Sequence, residues 1–336
     1  MKIKIVSLLS LCGLFLLSAH LQAAEPVPLK TTTTPAGKTD KPVKVFLLVG
    51  QSNMVGAGTI PNSERSQKRN GGKGTLEYLV TSPEVKDKKQ FAHLVGPGGL
   101  EKDGWIARGD VWIANPPREK NGLLTVGYGG GDDNIGPELQ FGHSIGDYYD
   151  EQVLLIKLSW GGKSVGTDFR PPSAGGETGE YYKTVLAETK KVLDNLGTLF
   201  PEYKKQGFEL VGIAWHQGWN DRVNQAHNDA YEENLSHLIK DWRKALGKPN
   251  LPFVIAETGM SGHEEKHPRA LSLMAAQAAV AKRPEFKGNV AFVGTKDFYR
   301  TPEESPSNQQ FHWNRNAETY FLIGNGLAEG MKKLLK

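Results

Sequence analysis

The chain has 336 residues, of which 38% are hydrophobic and 23% are charged, and it contains a single cysteine. This composition is typical of a folded globular protein and excludes a disordered chain or a disulfide-stabilised scaffold. The 41 lysines and arginines exceed the 37 aspartates and glutamates by only four. Because these basic residues are dispersed rather than clustered, we expect no nucleic-acid partner.

The first 23 residues have the three parts of a secretory signal peptide. Two lysines within Met1–Lys4 precede an apolar run over 5–17, and small and polar residues follow up to Ala24. The run is shorter than the roughly 20 residues that span a bilayer, so we predict cleavage after Ala23 rather than a retained anchor. The mature protein is then expected to be secreted or periplasmic, without stable membrane insertion and without Cys12.

Residues 24–42 are predicted to be a flexible linker, because threonine and proline dominate and the segment cannot bury a core. The remaining 43–336 are expected to form one domain, since α/β folds often use about 250 residues or more in a single unit. The irregular stretch from Thr59 to Gly136 contains Trp105, Trp112, Tyr128 and several glycines. Loops of this length are often functional, but the sequence does not assign a role to it.

Short apolar runs alternate with helical patterns along the domain. The runs predict strands buried on both faces, at 43–49, 153–158, 208–215, 253–256 and 290–293. The helical patterns cover 138–149, 181–196, 226–246, 268–281 and 317–335. Such alternation predicts an α/β fold, a three-layer α/β/α sandwich around a mostly parallel, five-stranded, flavodoxin-like sheet.

Chemically useful residues follow three of the predicted strands at their carboxyl ends, where parallel sheets place functional groups. Ser52 follows the first strand at a glycine-flanked turn, and it can be a nucleophile or merely cap the next helix. Gly161 and Gly162 follow the second strand and let backbone N–H groups approach a ligand closely. After the third strand, Gln217 and Asn220 offer amide donors for an oxyanion.

A histidine, His312, lies just before the last predicted helix. From there its imidazole can reach back to the turn after the first strand and act as the general base for Ser52. A serine and a histidine can hydrolyse an ester without a cofactor or a metal, so we expect neither.

The motifs that carry these residues resemble a known family. Gly50–Met54 spells Gly-Gln-Ser-Asn-Met, followed in order by Trp-Gly-Gly at 160–162, His-Gln-Gly at 216–218 and the late His312. This order is similar to that of the SGNH-hydrolase superfamily, in its branch of sialate O-acetylesterases and acetylxylan-esterase-like carbohydrate esterases. The resemblance covers about residues 43–336.

The resemblance implies a carboxylic ester hydrolase that removes acetyl groups from carbohydrates. It implies Ser52 as the nucleophile and His312 as the base. The oxyanion would be bound by the Ser52 N–H, the Gly162 (or Gly161) N–H and the Gln217 amide, with Asn220 as a further donor. The acetylated sugar, from sialic acid or from a plant or algal polysaccharide, is not specified.

Five residues near these motifs are expected to contact the sugar. The aromatic faces of Trp160 and Trp219 can stack on sugar rings, and Arg170 can bind a carboxylate such as that of a sialic acid. Gln51 and Gly161 complete this expected substrate-binding set.

Two positions depart from the family pattern. Members usually have Asp three residues before the catalytic histidine, where this chain has Gln309, so the identity of the triad acid is open. Asp297, just past the last strand, is the first substitute, Glu304 is the second, and a Ser-His dyad oriented by a backbone carbonyl is the third. The second departure is Trp219, where the branch usually has Glu.

Two other readings compete with the esterase. A non-catalytic carbohydrate-binding protein of the same fold stays open, because the usual carboxylate is missing. His263 and His267 form an H-E-x-x-H motif of the kind that binds zinc in metallopeptidases, but Pro268 follows at once and argues against a helix there.

Ser261 is an alternative nucleophile, because it also follows a strand. It lacks the glycine expected two positions later in a nucleophile elbow, so Ser52 is the stronger candidate.

Overall fold

The protein was analysed as a computed structural model, which describes residues 29–336. The predicted signal peptide, its cleavage site and Cys12 lie outside the described residues. Within the described range the strands are β1 (Thr31–Thr33), β2 (Val43–Gly50), β3 (Gly58–Thr59), β4 (Trp105–Asn115), β5 (Lys120–Leu124), β6 (Asn134–Ile135), β7 (Val153–Ser159), β8 (Phe208–His216), β9 (Phe253–Ala256) and β10 (Val290–Val293).

The helices match most of the predicted helical patterns, although the pattern over 226–246 is split into two helices at Ala230. They are α1 (Ser52–Val55), α2 (Glu64–Asn70), α3 (Leu76–Thr81), α4 (Gly99–Asp103), α5 (Glu138–Gly146), α6 (Glu180–Asp194), α7 (Leu196–Leu199), α8 (Trp219–Arg222), α9 (Gln225–Asp229), α10 (Tyr231–Ala245), α11 (Pro268–Lys282) and α12 (Ala317–Leu334). None of these helices is both long and apolar enough to cross a bilayer.

Eight strands form the central sheet, in the order β1-β4-β7-β2-β8-β9-β10 with β5 paired to β4. All neighbours are parallel except β4 and β5. The five predicted strands are the contiguous set β7-β2-β8-β9-β10, which confirms the sandwich. The predicted number of five strands is corrected to eight, because β1, β4 and β5 extend the sheet at one edge.

The additional strands come from segments that we expected to be irregular. β4 lies in the stretch 59–136, and the polar residues Arg108–Asp110 interrupt its apolar pattern where its pairing with β5 shifts register. β1 lies within the predicted linker, and its threonines pair in parallel with Trp105–Ala107 of β4. Threonine is β-branched and favours extended backbone, so this segment forms an edge strand once a partner strand exists.

The hydrophobic core is divided between the two faces of the sheet, as expected for strands whose side chains alternate in direction. Phe46 and Leu48 of β2 belong to the cluster that includes α5 and α12. Leu47 and Val49 belong to the cluster that includes α6, α10 and α11. The two layers of helices therefore hold the carboxyl ends of the strands at one common edge.

Register brings the three predicted motif turns together at this edge. Gly50 at the end of β2 is paired with Ser159 of β7 on one side and with His216 of β8 on the other. The turns that begin at Gln51, Trp160 and Gln217 are consequently adjacent in space.

Candidate active site

Ser52 is the first residue of α1 and follows Gln51, the turn residue after β2. Gly50 is needed before it, because a Cβ at this position would collide with the carbonyl oxygen of His216 on the neighbouring strand. The Ser52 side chain is half-buried, and its hydroxyl makes no hydrogen bond to any residue within 29–336. The hydroxyl is thus presented at the sheet edge without a competing partner.

The loop that carries His312 is attached to the Ser52 turn through Asn53. The Asn53 side chain donates to the Phe311 carbonyl oxygen at 3.1 Å and accepts from the Tyr320 hydroxyl at 3.0 Å. That hydroxyl lies 3.4 Å from the carbonyl oxygen of His312. The residues that follow Ser52 and precede His312 are therefore joined directly, although the described structure contains no hydrogen bond between the two candidate catalytic side chains.

The His312 ring is oriented by the side chain at position 309. Its Nδ1 lies 3.3 Å from Oε1 of Gln309. That oxygen can accept a hydrogen bond from a protonated Nδ1, which leaves Nε2 as the basic nitrogen. Burial, with a smaller effect from the positive charge of Arg315, lowers the pKa of His312. A neutral imidazole, the form that a general base requires, is therefore maintained to lower pH than in water.

The backbone after His312 is strained. Trp313, Asn314 and Arg315 have φ angles of 51°, 54° and 59°, a left-handed run of three residues that are not glycine. Each such residue costs roughly 1 kcal/mol or more, so surrounding contacts must fix the turn. Trp313 and Asn314 are fully buried, and Asn314 donates its side-chain amide to the Arg300 carbonyl oxygen at 3.0 Å.

The structure does not bring either expected acid to His312. The exposed carboxylate of Asp297 instead accepts from Nε2 of His263 at 2.7 Å. Glu304 accepts from the backbone N–H of Thr301 at 3.0 Å. Gln309, the residue that replaces the usual Asp, is the side chain that meets the His312 ring.

The candidate oxyanion donors differ in availability. The backbone N–H groups of Ser52 and Gly162 donate to no acceptor within the described residues, and Gly162 is exposed with a φ of 65°. The side chain of Asn220 also has no hydrogen bond within this range, and its backbone N–H is held by Gln51 at 3.1 Å. The Gln217 amide, by contrast, already donates to the Lys163 carbonyl oxygen at 2.8 Å and to Asp221 at 2.6 Å.

Asp221, which we did not predict as a site residue, organises this part of the site. Its fully buried carboxylate accepts from Gln217 and from the backbone N–H groups of Val165 (3.0 Å) and Gly166 (2.8 Å). Burial raises the pKa of Asp221 to about 6, against the opposing effect of these hydrogen bonds. The carboxylate thereby fixes the turn after β7 against the turn after β8. Its place directly after Asn220, in the sequence Gly-Trp-Asn-Asp at 218–221, was the signal for it.

The expected substrate-binding residues fall into two groups. Gln51 is 2% exposed, and its Oε1 accepts from the backbone N–H groups of Gly218 and Asn220, so it joins turns rather than facing solvent. Arg170 donates to the carbonyl oxygens of Gly166, Ala174 and Gly175, which commits its guanidinium to its own loop. Both side chains hydrogen-bond to the backbone of neighbouring turns, so neither is free to bind a ligand.

The other three residues of that set remain open to a ligand to different degrees. Gly161 is exposed, while Trp160 is half-buried and packs edge-on against Tyr181, with ring centroids 4.9 Å apart. Trp219 is half-buried, with its ring centroid 6.1 Å from that of Phe311. Phe311 is 42% exposed and adjoins His312, so it is a candidate sugar contact that we missed despite its place in the histidine motif.

The H-E-x-x-H segment lacks the helix that would place its two histidines on one face. A short 3₁₀ turn covers Gly262–Glu264, and α11 begins only at Pro268. His263 is paired with Asp297, and Ser261 lies in a left-handed turn with a φ of 81°. The geometry that a zinc peptidase needs is therefore absent from this segment.

Comparison with known proteins identifies a family for this chain. Residues 42–333 match the family described as carbohydrate esterase, sialic acid-specific acetylesterase. A probable carbohydrate esterase of Arabidopsis thaliana is 21% identical over 229 residues, which cover 67% of this chain and 73% of that protein.

Of two solved structures compared with this chain, the first is similar in fold. An Arabidopsis thaliana protein superposes with a TM-score of 0.56 and 16% identity, covering 87% of this chain and 98% of the other. A carbohydrate acetylesterase of Xanthomonas citri has a TM-score of 0.45 and 16% identity, covering 85% and 57% respectively. Since the family match spans nearly the whole described domain, the chain belongs to the sialic acid-specific acetylesterase family of carbohydrate esterases and is a carboxylic ester hydrolase.

Proposed function

We propose that the protein is a serine esterase that removes O-acetyl groups from carbohydrates, with Ser52 as the nucleophile and His312 as the base. The observation that carries this proposal is the Asn53 contact, which joins the Ser52 turn to the His312 loop. An unpaired serine hydroxyl and a neutral imidazole oriented by Gln309 are then held at one sheet edge.

The proposed reaction has two halves. His312 Nε2 takes the Ser52 proton while Oγ attacks the acetyl carbonyl carbon, and the imidazolium then protonates the departing sugar oxygen as the ester C–O bond breaks. Water, deprotonated by His312, attacks the acetyl-Ser52 ester and releases acetate, which restores the serine.

The oxyanion formed in each half would be stabilised by the N–H groups of Ser52 and Gly162 and by the Asn220 amide. Each donor can contribute about 3 kcal/mol to lowering the barrier. We propose a positioning role for Gln217, because both of its amide hydrogens are engaged by Lys163 and Asp221.

The sugar is proposed to contact Phe311 and the Trp219 face opposite the Arg222 guanidinium, which lies 3.7 Å from the ring centroid of Trp219. An O-acetylated sialic acid or an acetylated plant or algal polysaccharide fits the family match. Export is also proposed, from the signal-peptide pattern of the first 23 residues. Amino-terminal sequencing of protein recovered from the medium or periplasm would show a start near Ala24, whereas a chain retained with Met1 would contradict export.

The proposal is tested by hydrolysis of p-nitrophenyl acetate and acetylated xylan, with and without EDTA. Ser52→Ala and His312→Ala are each expected to lower kcat by about a thousandfold or more, because they remove the nucleophile or its base. Ser261→Ala and His263→Ala are the matched controls and should retain activity. Activity that survives Ser52→Ala, or that EDTA abolishes, would contradict the assignment, and an inert wild type would favour the carbohydrate-binding alternative.

A further inference from the structure

The turn that carries the Gly162 N–H is held in place by hydrogen bonds rather than by packing. Gly161 and Gly162 are both exposed, and a Cβ placed on either of them would meet no atom of residues 29–336 within 4 Å beyond its chain neighbours. Side chains do not clamp this turn from above or below. The position of its backbone donor therefore depends on the residues that follow it, from Lys163 to Gly166.

The hydrogen bonds of these residues converge on one buried carboxylate, that of Asp221. Its Oδ1 accepts from the Gly166 N–H at 2.8 Å, and its Oδ2 accepts from the Val165 N–H at 3.0 Å and from the Gln217 amide at 2.6 Å. The same amide nitrogen of Gln217 donates to the Lys163 carbonyl oxygen at 2.8 Å. Asp221 thus binds one end of the turn directly and the other through Gln217.

The ionised form of Asp221 is the form that these contacts require. Its three partners are all N–H donors, and an ionised carboxylate only accepts hydrogen bonds. A protonated carboxyl group has an O–H donor of its own and is a weaker acceptor than a carboxylate. Protonation would therefore set a donor against donors and loosen the turn that carries Gly162.

Two titratable groups of neighbouring helices act on Asp221. His227 of α9 favours the charged carboxylate when its own ring is protonated. Tyr231 of α10 stays neutral, because burial raises the pKa of its hydroxyl. Burial has the largest effect on Asp221 itself and raises its pKa to about 6, so this carboxylate takes up a proton just below neutral pH.

The basic side chains nearest to Asp221 along the two turns have other partners. The Lys163 ammonium lies 3.2 Å from the carboxylate of Asp168. The Arg222 guanidinium lies 3.7 Å from the ring centroid of Trp219. Within the part of the chain that the structure describes, backbone and amide N–H groups and not an ion pair stabilise the charge of Asp221.

We propose that the charge of Asp221 holds the Gly162 N–H in its oxyanion-binding position, so that one proton on this carboxylate stops the reaction. Asp221 is then a positioning residue, which acts on the oxyanion through the turn of Gly162 and not by direct contact. This inference rests on the proposed function, because the oxyanion forms when Ser52 attacks the ester.

The test is the acid limb of kcat/KM for p-nitrophenyl acetate, measured from about pH 4 to pH 9. Two groups of the free enzyme must be unprotonated, His312 and Asp221, so log kcat/KM of the wild type is expected to fall with a limiting slope of about two. Asp221→Asn should lower kcat on the alkaline side of this limb by about 100-fold, with little change in KM, because a displaced oxyanion donor weakens transition-state binding. The slope of its acid limb should be about one, since His312 alone then titrates.

Glu257→Gln is the matched control. Glu257 follows β9 at the same sheet edge, is 6% exposed, and accepts from the backbone N–H of Thr295 at 2.9 Å instead of from either turn. Its replacement removes an equally buried carboxylate and should keep the slope of the wild type. If circular dichroism shows that Asp221→Asn is unfolded, Asp221→Glu decides, because a longer carboxylate should move the second ionisation along the pH axis.

The outcomes separate this inference from the esterase itself. A Ser52-dependent wild type whose acid limb has a slope of about one would overturn the role of Asp221 and leave the esterase intact. A wild-type kcat or an unchanged slope in Asp221→Asn, a slope lost equally in Glu257→Gln, or an unmoved ionisation in Asp221→Glu would overturn it as well. Activity indifferent to Ser52→Ala would instead overturn the proposed function.

Discussion

The His312 side chain is paired with an amide where the family resemblance leads us to expect a carboxylate, and this changes what the pair can do. Gln309 can accept a hydrogen bond from Nδ1–H and fix the tautomer, but it has no charge with which to stabilise an imidazolium. Burial and Arg315 already lower the pKa of His312. We therefore expect the enzyme to stay active to lower pH than an enzyme with a carboxylate in its triad. The imidazolium that forms during the reaction is expected to be less stable in return.

Gln309→Asp tests this interpretation. A carboxylate beside Nδ1 would favour the charged imidazole and raise the pKa of His312, so the neutral base would be lost at higher pH than in the wild type. We expect the acid limb of kcat/KM against pH to move upward and kcat above that limb to rise by up to about tenfold, within the range that general bases supply. The measurement is a pH–rate profile with p-nitrophenyl acetate.

Gln310→Asp provides the control, because it adds the same charge one residue away on an exposed side chain. Its acid limb should stay at the wild-type position. An unchanged profile for Gln309→Asp would show that the residue at 309 does not act on the imidazole.

Residues were predictable from the sequence where a motif fixes them locally. Ser52 and His312 occupy motif positions, and the Asn53 contact holds their backbones together. The partner of His312 was not predictable. Asp297 pairs with His263 in the folded protein, and the positions of these residues in the sequence do not indicate that contact. The same limit applies to Arg170, whose guanidinium is bound by three carbonyl oxygens of its own loop.

At the scale of elements, a buried ion pair stabilises the short helix α1 that begins with Ser52. Lys157 of β7 is fully buried, and its Nζ donates to Glu138 of α5 at 2.6 Å and to the carbonyl oxygens of Val55 and Tyr128, each at 2.7 Å. Burial lowers the pKa of Lys157 despite the opposing effect of Glu138. The lysine thereby joins the end of α1 to α5 and to the loop before β6.

Lys157→Met is expected to destabilise the protein by about 3–5 kcal/mol, because it leaves Glu138 buried without a counter-charge. The double variant Lys157→Met/Glu138→Leu should be less destabilised, since no charge remains in the core. Urea unfolding followed by circular dichroism would measure both. Lys190→Met, which removes a lysine paired with Asp194 on the exposed face of α6, should leave the midpoint unchanged.

A double variant as unstable as the single one would show that Lys157 acts through the two carbonyl oxygens rather than through Glu138. A single variant of wild-type stability would contradict the role altogether.

Strands were predictable where apolar residues dominate their sequence. The five buried strands read as apolar runs with at most one charged residue each, and their observed ends differ from the predicted ones by at most one residue. β4 escaped detection because Arg108 and Asp110 stand inside it, where Arg108 pairs with both Asp110 and Asp147. The ion pairs that satisfy these polar residues form only in the folded protein, so in the sequence the segment resembles a loop.

At the scale of the whole molecule, the chain places the sheet edge that carries the candidate active site and its added strands in different parts of the sheet. The site lies at the carboxyl ends of β2, β7 and β8, while β1 lies at the outer edge beyond β4. β1 is held there by backbone hydrogen bonds from Trp105 to Lys30 (2.9 Å) and from Thr34 to Ala107 (2.9 Å). The amino-terminal segment is therefore expected to stabilise the fold without taking part in the reaction.

A chain that begins at Val43 is expected to be less stable than one that begins at Leu29, because it exposes the edge of β4 and the side of Trp105, now 2% exposed. Loss of the two edge hydrogen bonds alone predicts roughly 2 kcal/mol. Thermal unfolding of the two chains measures the difference, and kcat/KM for p-nitrophenyl acetate at low temperature should be equal for both. Equal unfolding temperatures would instead support the flexible linker that composition predicts, since a tether can be removed without cost, whereas a paired edge strand cannot.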